Sequence, residues 1–272
     1  MSSPRSPSTS KISVSSVQDV ATFASAVVAA ARRFDNTRPW WRGQRQADWG
    51  LEPSLYRQGF AAKETNLNAR FLLMARSRRG DVPNASDPLG WLFLMQHYRL
   101  PTRLLDWSQS PLVALYFAVE RPDNVDAALW ALSPTRLNMI EAKTESICMP
   151  GSSTVGRLGL QAFRRDGEQL DTRILAVLTE EADVRHLVQQ SAFTLHGRET
   201  SLEQCENAGV FLTKVRIPAT AKEQFRQVLA LFGVNRASLF PDLENLALEL
   251  QGLDFEQRSK VAELADEPPV AP

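Results

Sequence analysis

The apolar spacing of this chain changes period irregularly from segment to segment, and that irregularity limits the folds open to it. Val20, Phe23, Val27 and Phe34 recur at helical spacing. Ser16 can cap that helix, Asp19 sits near its positive end, and Arg32 and Arg33 favour its C-terminal end. Trp40–Gln44 reads as a short strand, and Leu67, Phe71 and Met74 suggest a second helix closed near Gly80. Asp87-Pro88 is a cap followed by proline at the first helical position; it opens a helix bearing Leu89, Leu92, Phe93 and Gln96, which Leu100-Pro101 breaks. Thr102 to Trp107 reads as a strand, Ser110-Pro111 starts another helix, and Ala127 to Leu132 is a buried strand. Residues 135–170 have little periodicity and read as an insertion, helical in part. Further strands are expected at Ile174 to Leu178, Ala192 to Leu195 and Phe211 to Ile217. Thr220 and Glu223 have the spacing of a capping box, opening a helix that Gly233 ends, and a last helix follows Pro241-Asp242. Early helices, scattered strands and irregular alternation predict an α+β fold, a mixed central sheet with flanking helices, over a doubly wound parallel sheet. No internal repeat is present, and neither GxGxxG nor GxxxxGK[ST] occurs.

With 272 residues, 43% of them hydrophobic, the chain can bury one sizeable core. Its 31 basic and 31 acidic residues cancel, which argues against a general nucleic-acid-coating surface but leaves room for a local basic site. Cys148 and Cys205 form neither a disulfide framework nor a metal motif, so a cytoplasmic setting is expected. The longest strictly apolar run, Ala26 to Ala31, is far too short to span a bilayer. The N-terminus lacks the pattern of a secretory signal, and no membrane partner is expected. Residues 1–15, rich in Ser and Pro, are expected to be disordered, residues 16–251 to form the domain, and residues 252–272 to be a helix end and an acidic, Pro-rich tail. The three histidines have no zinc-ligand spacing.

Three segments carry chemistry. In Trp40-Trp41-Arg42-Gly43-Gln44-Arg45, an aromatic–Arg–Gly step puts a fixed cation where the backbone can approach a ligand. A guanidinium there holds a phosphate or carboxylate at two points, or else stacks on an indole and pairs with an acid. Between Met95 and Val119, Gln96, His97, Thr102, Arg103, Asp106 and Ser108 are crowded among bulky apolar residues and must find partners or a ligand. Strand alternation puts Asp106 and Trp107 on opposite faces, so Asp106 either faces a cleft or accepts N–H bonds from the following turn. Arg103 reads as the partner of a carboxylate in the same block, and His97 as a packing residue. In the third segment, Gln189, Gln190, Ser191 and Thr194 place two amides and two hydroxyls at a strand, where they read a base or carboxamide edge or cap the strand.

WWRGQ, QHYRLPTRLLDWSQSPLVALYFAV, QQSAFTLH and LFPDLENLALEL, taken in order, resemble the motifs of the FRG domain family over roughly residues 36–251. Ser191 stands where that family often has glycine. The order of elements is also similar to the ADP-ribosyltransferase fold. That resemblance implies that Arg42 holds the phosphates of NAD and that residues 102–108 form the second strand of the site. It also places Gln190 near the position of the acid that orients the nicotinamide ribose. Glutamine supplies no charge, so Asp106, then Glu199, are the acids to consider.

The expected site is therefore Asp106 and Gln190 as catalytic residues, with Arg42, Gly43, Gln44, Thr102, Ser108 and Tyr98 holding the cofactor, NAD. Trp40, Trp41 or Tyr98 would supply a stacking face. The resemblance implies an NAD-using transferase or glycohydrolase acting as a bacterial toxin or anti-phage effector on a protein or nucleic-acid acceptor. The alternatives are a nucleotide- or protein-binding module with the same cleft, and a scaffold docking partners through helices at 16–34 and 243–263.

Overall fold

The computed structural model describes residues 11–121, 123–164, 170–178, 184–248 and 250–251. Its strands are β1 (Ser13–Ser16), β2 (Trp40–Gln44), β3 (Leu104–Ser108), β4 (Ala127–Leu132), β5 (Ile174–Val177), β6 (Ser191–His196) and β7 (Leu212–Ile217). They form one sheet in the order β1-β7-β4-β2-β3-β6-β5. β1 runs parallel to β7 and every other neighbouring pair is antiparallel, so the mixed sheet of an α+β fold is present. Its helices are α1 (Val20–Arg33), α2 (Ser54–Arg57), α3 (Glu64–Ala75), α4 (Pro88–His97), α5 (Pro111–Val119) and α6 (Pro134–Ala142). They continue with α7 (Ser153–Leu160), α8 (Val184–Val188), α9 (Ala208–Phe211), α10 (Lys222–Leu231) and α11 (Arg236–Leu239).

β2 is a central strand, flanked by β3 and β4 and covered on both faces. Its two tryptophans therefore go opposite ways. Trp41 joins the core built with Phe23 and Phe34, Ala114 and Leu115 of α5, Leu129 of β4 and Phe225 of α10. Trp40 joins the core on the other face with Trp107, Trp130, Leu137 and Phe211. A third core packs α4 and α7 on the β3-β6-β5 end through Trp91, Leu92, Leu158 and Phe193.

Several local expectations change. Ser13–Ser16, expected to be disordered up to residue 15 and then to cap a helix, is an edge strand on β7, and the α1 cap is Asp19, whose side chain accepts from Thr22 N–H. All four β1 side chains are exposed, so no apolar alternation announces it. The stretch 135–170 is no mere insertion: α6 reaches across to β5, where Asn138 exchanges hydrogen bonds with Ala176, and α7 packs on α4. The Thr220–Glu223 capping box does not form. Residues Ala219–Ala221 make a tight 3₁₀ turn into α10, and Glu223 pairs with Arg226 instead. The expected tail at 252–272 lies outside the described residues, as do residues 1–10. α1, considered as a docking helix, buries Phe23 and Ala30 in its own domain. Among the described residues no helix is long and apolar enough to cross a membrane.

Candidate anion-binding cleft

The sheet forks between β2 and β3. β2 pairs with β4 along its whole length, and β3 pairs with β6 along its whole length, but β2 and β3 meet only at Trp41 and Ser108. Beyond that point the strands part, and the Arg42 side chain bridges the gap, Nη1 donating to the Asp106 carbonyl at 2.6 Å. A cavity of about 440 Å³ opens over the fork. Arg42, Gly43, Asp106 and Ser108 form its floor, α5 contributes Val113, Ala114, Phe117 and Glu120, and α2 and the end of α4 contribute Ser54, Arg57, Gln96 and Arg99.

Among the described residues, five arginines line this cleft (42, 45, 57, 99 and 185), against two carboxylates, Asp106 and Glu120. The chain as a whole is neutral, so positive charge is concentrated here. Burial pulls the Arg42 guanidinium below its ordinary pKa, Asp106 opposes that shift, and Arg57 adds to it. Arg42 Nε is buried and has no hydrogen-bond partner. A buried charged donor without a partner is costly, and an anion drawn into the fork would lower that cost by balancing the charge. Asp106 stands opposite, its Oδ2 3.9 Å from Arg42 Nη1 and accepting from Gln96 Nε2 at 2.9 Å. Gln96 is itself held by Thr102, whose hydroxyl donates to Gln96 Oε1 at 2.6 Å and accepts from Leu104 N–H. The carboxyl side chain is 57% exposed, open to the cleft, while Trp107 is buried beneath it.

Of the residues singled out from sequence, Arg42, Asp106, Gly43, Gln44 and Ser108 meet in this cleft, but several do other work there. Gly43 was expected to let a ligand approach the backbone. A Cβ at that position would lie 1.8 Å from the Ala114 carbonyl oxygen, so the missing side chain makes room for α5. Gln44 is 3% exposed and has both ends engaged, Nε2 donating to Gly50 O and Oε1 accepting from Trp130 Nε1. Ser108 donates to the Gln189 carbonyl and accepts from Ser110 N–H. Thr102 is fully buried just before β3 and positions Gln96 rather than a ligand.

Thr102, Tyr98 and Gln190 are not part of the cleft lining. Tyr98 lines a separate apolar hollow between α3 and α4, its hydroxyl accepting from Arg79. Gln190 lines a different hollow with Arg38 and Gln109, its Oε1 accepting from Arg38 Nη2, and is not part of the cleft wall. It has φ 47°, and this left-handed turn residue precedes Ser191, which is regular strand opposite Ser108. Trp40 and Trp41 are each 2% exposed and offer no open stacking face. Glu199 is exposed but not part of the cleft wall. Arg103 pairs with a carboxylate, though not one in its own block: Nε donates to Glu64 Oε1 at 2.8 Å and Nη2 to Oε2. His97 packs edge-on against the Tyr98 ring.

The aromatic faces in the cleft are Trp49, 37% exposed with the Arg45 guanidinium 5.4 Å from its ring centre, and Phe117. Neither these nor Arg57 and Arg99 stood out in the sequence. Trp49, Arg57 and Arg99 sit on a loop, a one-turn helix and a helix end, where no periodicity marks a direction. Phe117 was legible only as one apolar position among many in α5.

Behind the floor, Thr194 accepts from Trp107 Nε1 at 3.1 Å and faces His196 Nε2 at 2.9 Å. His196 is fully buried, and burial, with Arg198, Arg42 and Arg103 nearby, pushes its pKa down from 6.5 to about 3. The unfolded chain takes up that proton as pH falls through 6.5, and the folded chain does not until about 3. This contribution to stability is whole above pH 6.5 and is lost toward pH 3, at a slope approaching about 1.4 kcal/mol per pH unit. Thermal melts across that range should show a shallower acid decline in His196→Gln than in the parent chain; parallel curves would contradict it.

A mixed seven-stranded sheet, forked in the middle, defines the class: an α+β protein with an arginine-rich cleft on its central strands. Residues 37–127 match the family model of the FRG domain. The match spans β2, β3 and α5, so it contains the fork. No curated protein and no solved structure matches the chain.

Proposed function

We propose that the cleft binds a nucleotide of the NAD class through its phosphates, with Arg42 as the central phosphate ligand. The observation that carries this reading is the fork itself, an arginine whose buried Nε has no partner, at the base of a cavity where arginines outnumber acids five to two among the described residues. Trp49 and Phe117 offer faces for a base or nicotinamide ring. The resemblance to ADP-ribosyltransferases adds a reaction: cleavage of the nicotinamide glycosidic bond, with transfer of ADP-ribose to a protein, a nucleic acid or water. Asp106 is the acid this reading assigns to that chemistry. Its carboxylate would stabilise the positive charge that grows on the ribose as the bond breaks, with Gln96 holding its orientation. A toxin or anti-phage role would follow from consumption of NAD or modification of an acceptor.

A binding module without turnover is the second reading. It is favoured by Gln190 lying outside the cleft and by Glu120 standing 4.0 Å from Arg45, which leaves Asp106 as the one acid beside Arg42. One NMR time course separates the two readings, following free nicotinamide and NAD line broadening in the parent chain, Arg42→Ala and Asp106→Asn. The enzyme reading expects release that falls by at least ~100-fold in Asp106→Asn while broadening persists, and loss of both signals in Arg42→Ala. Broadening without release identifies a binding module. Neither signal in the parent chain would defeat the nucleotide reading.

A further inference from the structure

Two arginines of the cleft have no carboxylate set against them among the described residues. Asp106 lies 3.9 Å from Arg42 and Glu120 lies 4.0 Å from Arg45, so both cleft acids are set against arginines of the β2 end. Arg185 rests on the Phe240 ring at 4.5 Å. That leaves Arg57 and Arg99, both exposed and both lining the cleft. Arg57 Nη1 reaches only a main-chain carbonyl, Glu52 O, at 3.4 Å. The Arg99 guanidinium has no hydrogen-bond or ion-pair partner among the described residues.

Arg99 also occupies an unfavourable place for a side chain. α4 ends in a Schellman motif, Leu100 N–H bonding to Met95 O and Arg99 N–H to Gln96 O. The residue at the turn is left-handed, φ 63°, where glycine is the undemanding choice. An arginine there stores backbone strain without any internal contact to offset it, and such outliers concentrate where function holds them.

We propose that Arg57 and Arg99 form a second phosphate subsite at the mouth of the cleft, and that the nucleotide it takes bears a phosphomonoester in addition to its pyrophosphate. With Asp106 set against Arg42 and Glu120 against Arg45, Arg57 and Arg99 are the two cleft arginines without an ion-pair partner among the described residues. A phosphomonoester brings about 1.5 to 2 negative charges, which matches those two guanidiniums. Two guanidiniums on separate elements can grip the three terminal oxygens of a monoester from two sides. The inference rests on the nucleotide reading above, with Arg42 on the pyrophosphate and the arginine pair on the added group.

The test is calorimetric titration of the full chain with NAD and with its 2′-phosphorylated form at one fixed ionic strength. The parent chain should bind the 2′-phosphorylated nucleotide at least ~10-fold more tightly, the scale of one charge-assisted contact. Arg57→Gln with Arg99→Gln should abolish that advantage, costing the 2′-phosphorylated nucleotide at least ~10-fold more affinity than it costs NAD, whereas Arg42→Gln should weaken both ligands alike. Arg99→Gly should melt at a higher temperature than the parent and still lose the preference, an outcome that a merely structural Arg99 would not give. Equal binding of the two nucleotides by the parent, or a preference that survives the double substitution, overturns the subsite while leaving the nucleotide reading intact. Failure of either nucleotide to bind defeats the parent reading and this one with it. Displacement of bound 2′-phosphorylated nucleotide by a single-stranded oligonucleotide but not by 2′-AMP would also overturn it, assigning the arginine pair to a polymer backbone.

Discussion

Gly43→Ala is expected to lower the melting temperature by roughly 10 °C or to prevent folding. A β-carbon there meets the Ala114 carbonyl oxygen at 1.8 Å and the Ala118 nitrogen at 2.7 Å. Both belong to the backbone of α5, so no side-chain rotation relieves the clash and the helix must shift off the sheet. Strain of this kind costs at least about 3 kcal/mol, since ordinary overpacking costs 1–3 and here the obstacle is main chain. α5 also contributes Val113, Ala114 and Phe117 to the cleft, so any chain that does fold should have a distorted site. A melting curve of Gly43→Ala matching the parent's would show that α5 does not approach β2 this closely. The glycine of the aromatic–Arg–Gly step thus serves packing, and the arginine before it serves the cleft.

Glu64→Gln is expected to destabilise the chain by about 3–5 kcal/mol, the usual cost of removing one partner from a buried ion pair. Glu64 is 5% exposed and Arg103 7%, and the pair is bidentate. It joins the first turn of α3 to the segment entering β3, the strand that carries Asp106. Tyr56 stands beside the pair with its hydroxyl donating to His196 O at 3.0 Å, and burial pushes the Tyr56 pKa up to about 12. Loss of the carboxylate leaves an uncompensated guanidinium in that environment. Glu64→Met with Arg103→Met should recover much of the loss, because two apolar side chains of similar volume remove both charges together. Denaturant titration of the two single variants and the double variant checks this. Additive losses in the double variant would mean that the pair is not coupled.

The strands with strong apolar pattern were legible. β2 and β4 have the bounds read from sequence, and the Ser110 and Asp87 caps accept from Val113 and Gly90 N–H as their spacing implies. β1 was hidden because an exposed edge strand of serines carries no alternation. The Glu64–Arg103 pair was hidden because its partners stand 39 positions apart. Within the cleft, Arg42 and Asp106 were legible as charges crowded among apolar residues, and the fork brings them together. Trp40, Trp41 and Gln44 were misread for one reason: β2 is a central strand, so its neighbours on both faces consume side chains that a solvent-facing strand would have offered to a ligand. Gln190 was misread because it sits in a left-handed turn before β6, where its side chain is bound to Arg38 and lines a different hollow.

The most direct test of the cleft is a crystal of the full chain soaked with ADP-ribose, which carries the pyrophosphate and ribose without the reacting bond. Phosphate density within hydrogen-bond distance of Arg42 at the β2–β3 fork, with a ribose hydroxyl facing Asp106, is the predicted result. A nucleotide seated elsewhere, such as the Tyr98 hollow between α3 and α4, with the fork unchanged, would contradict it.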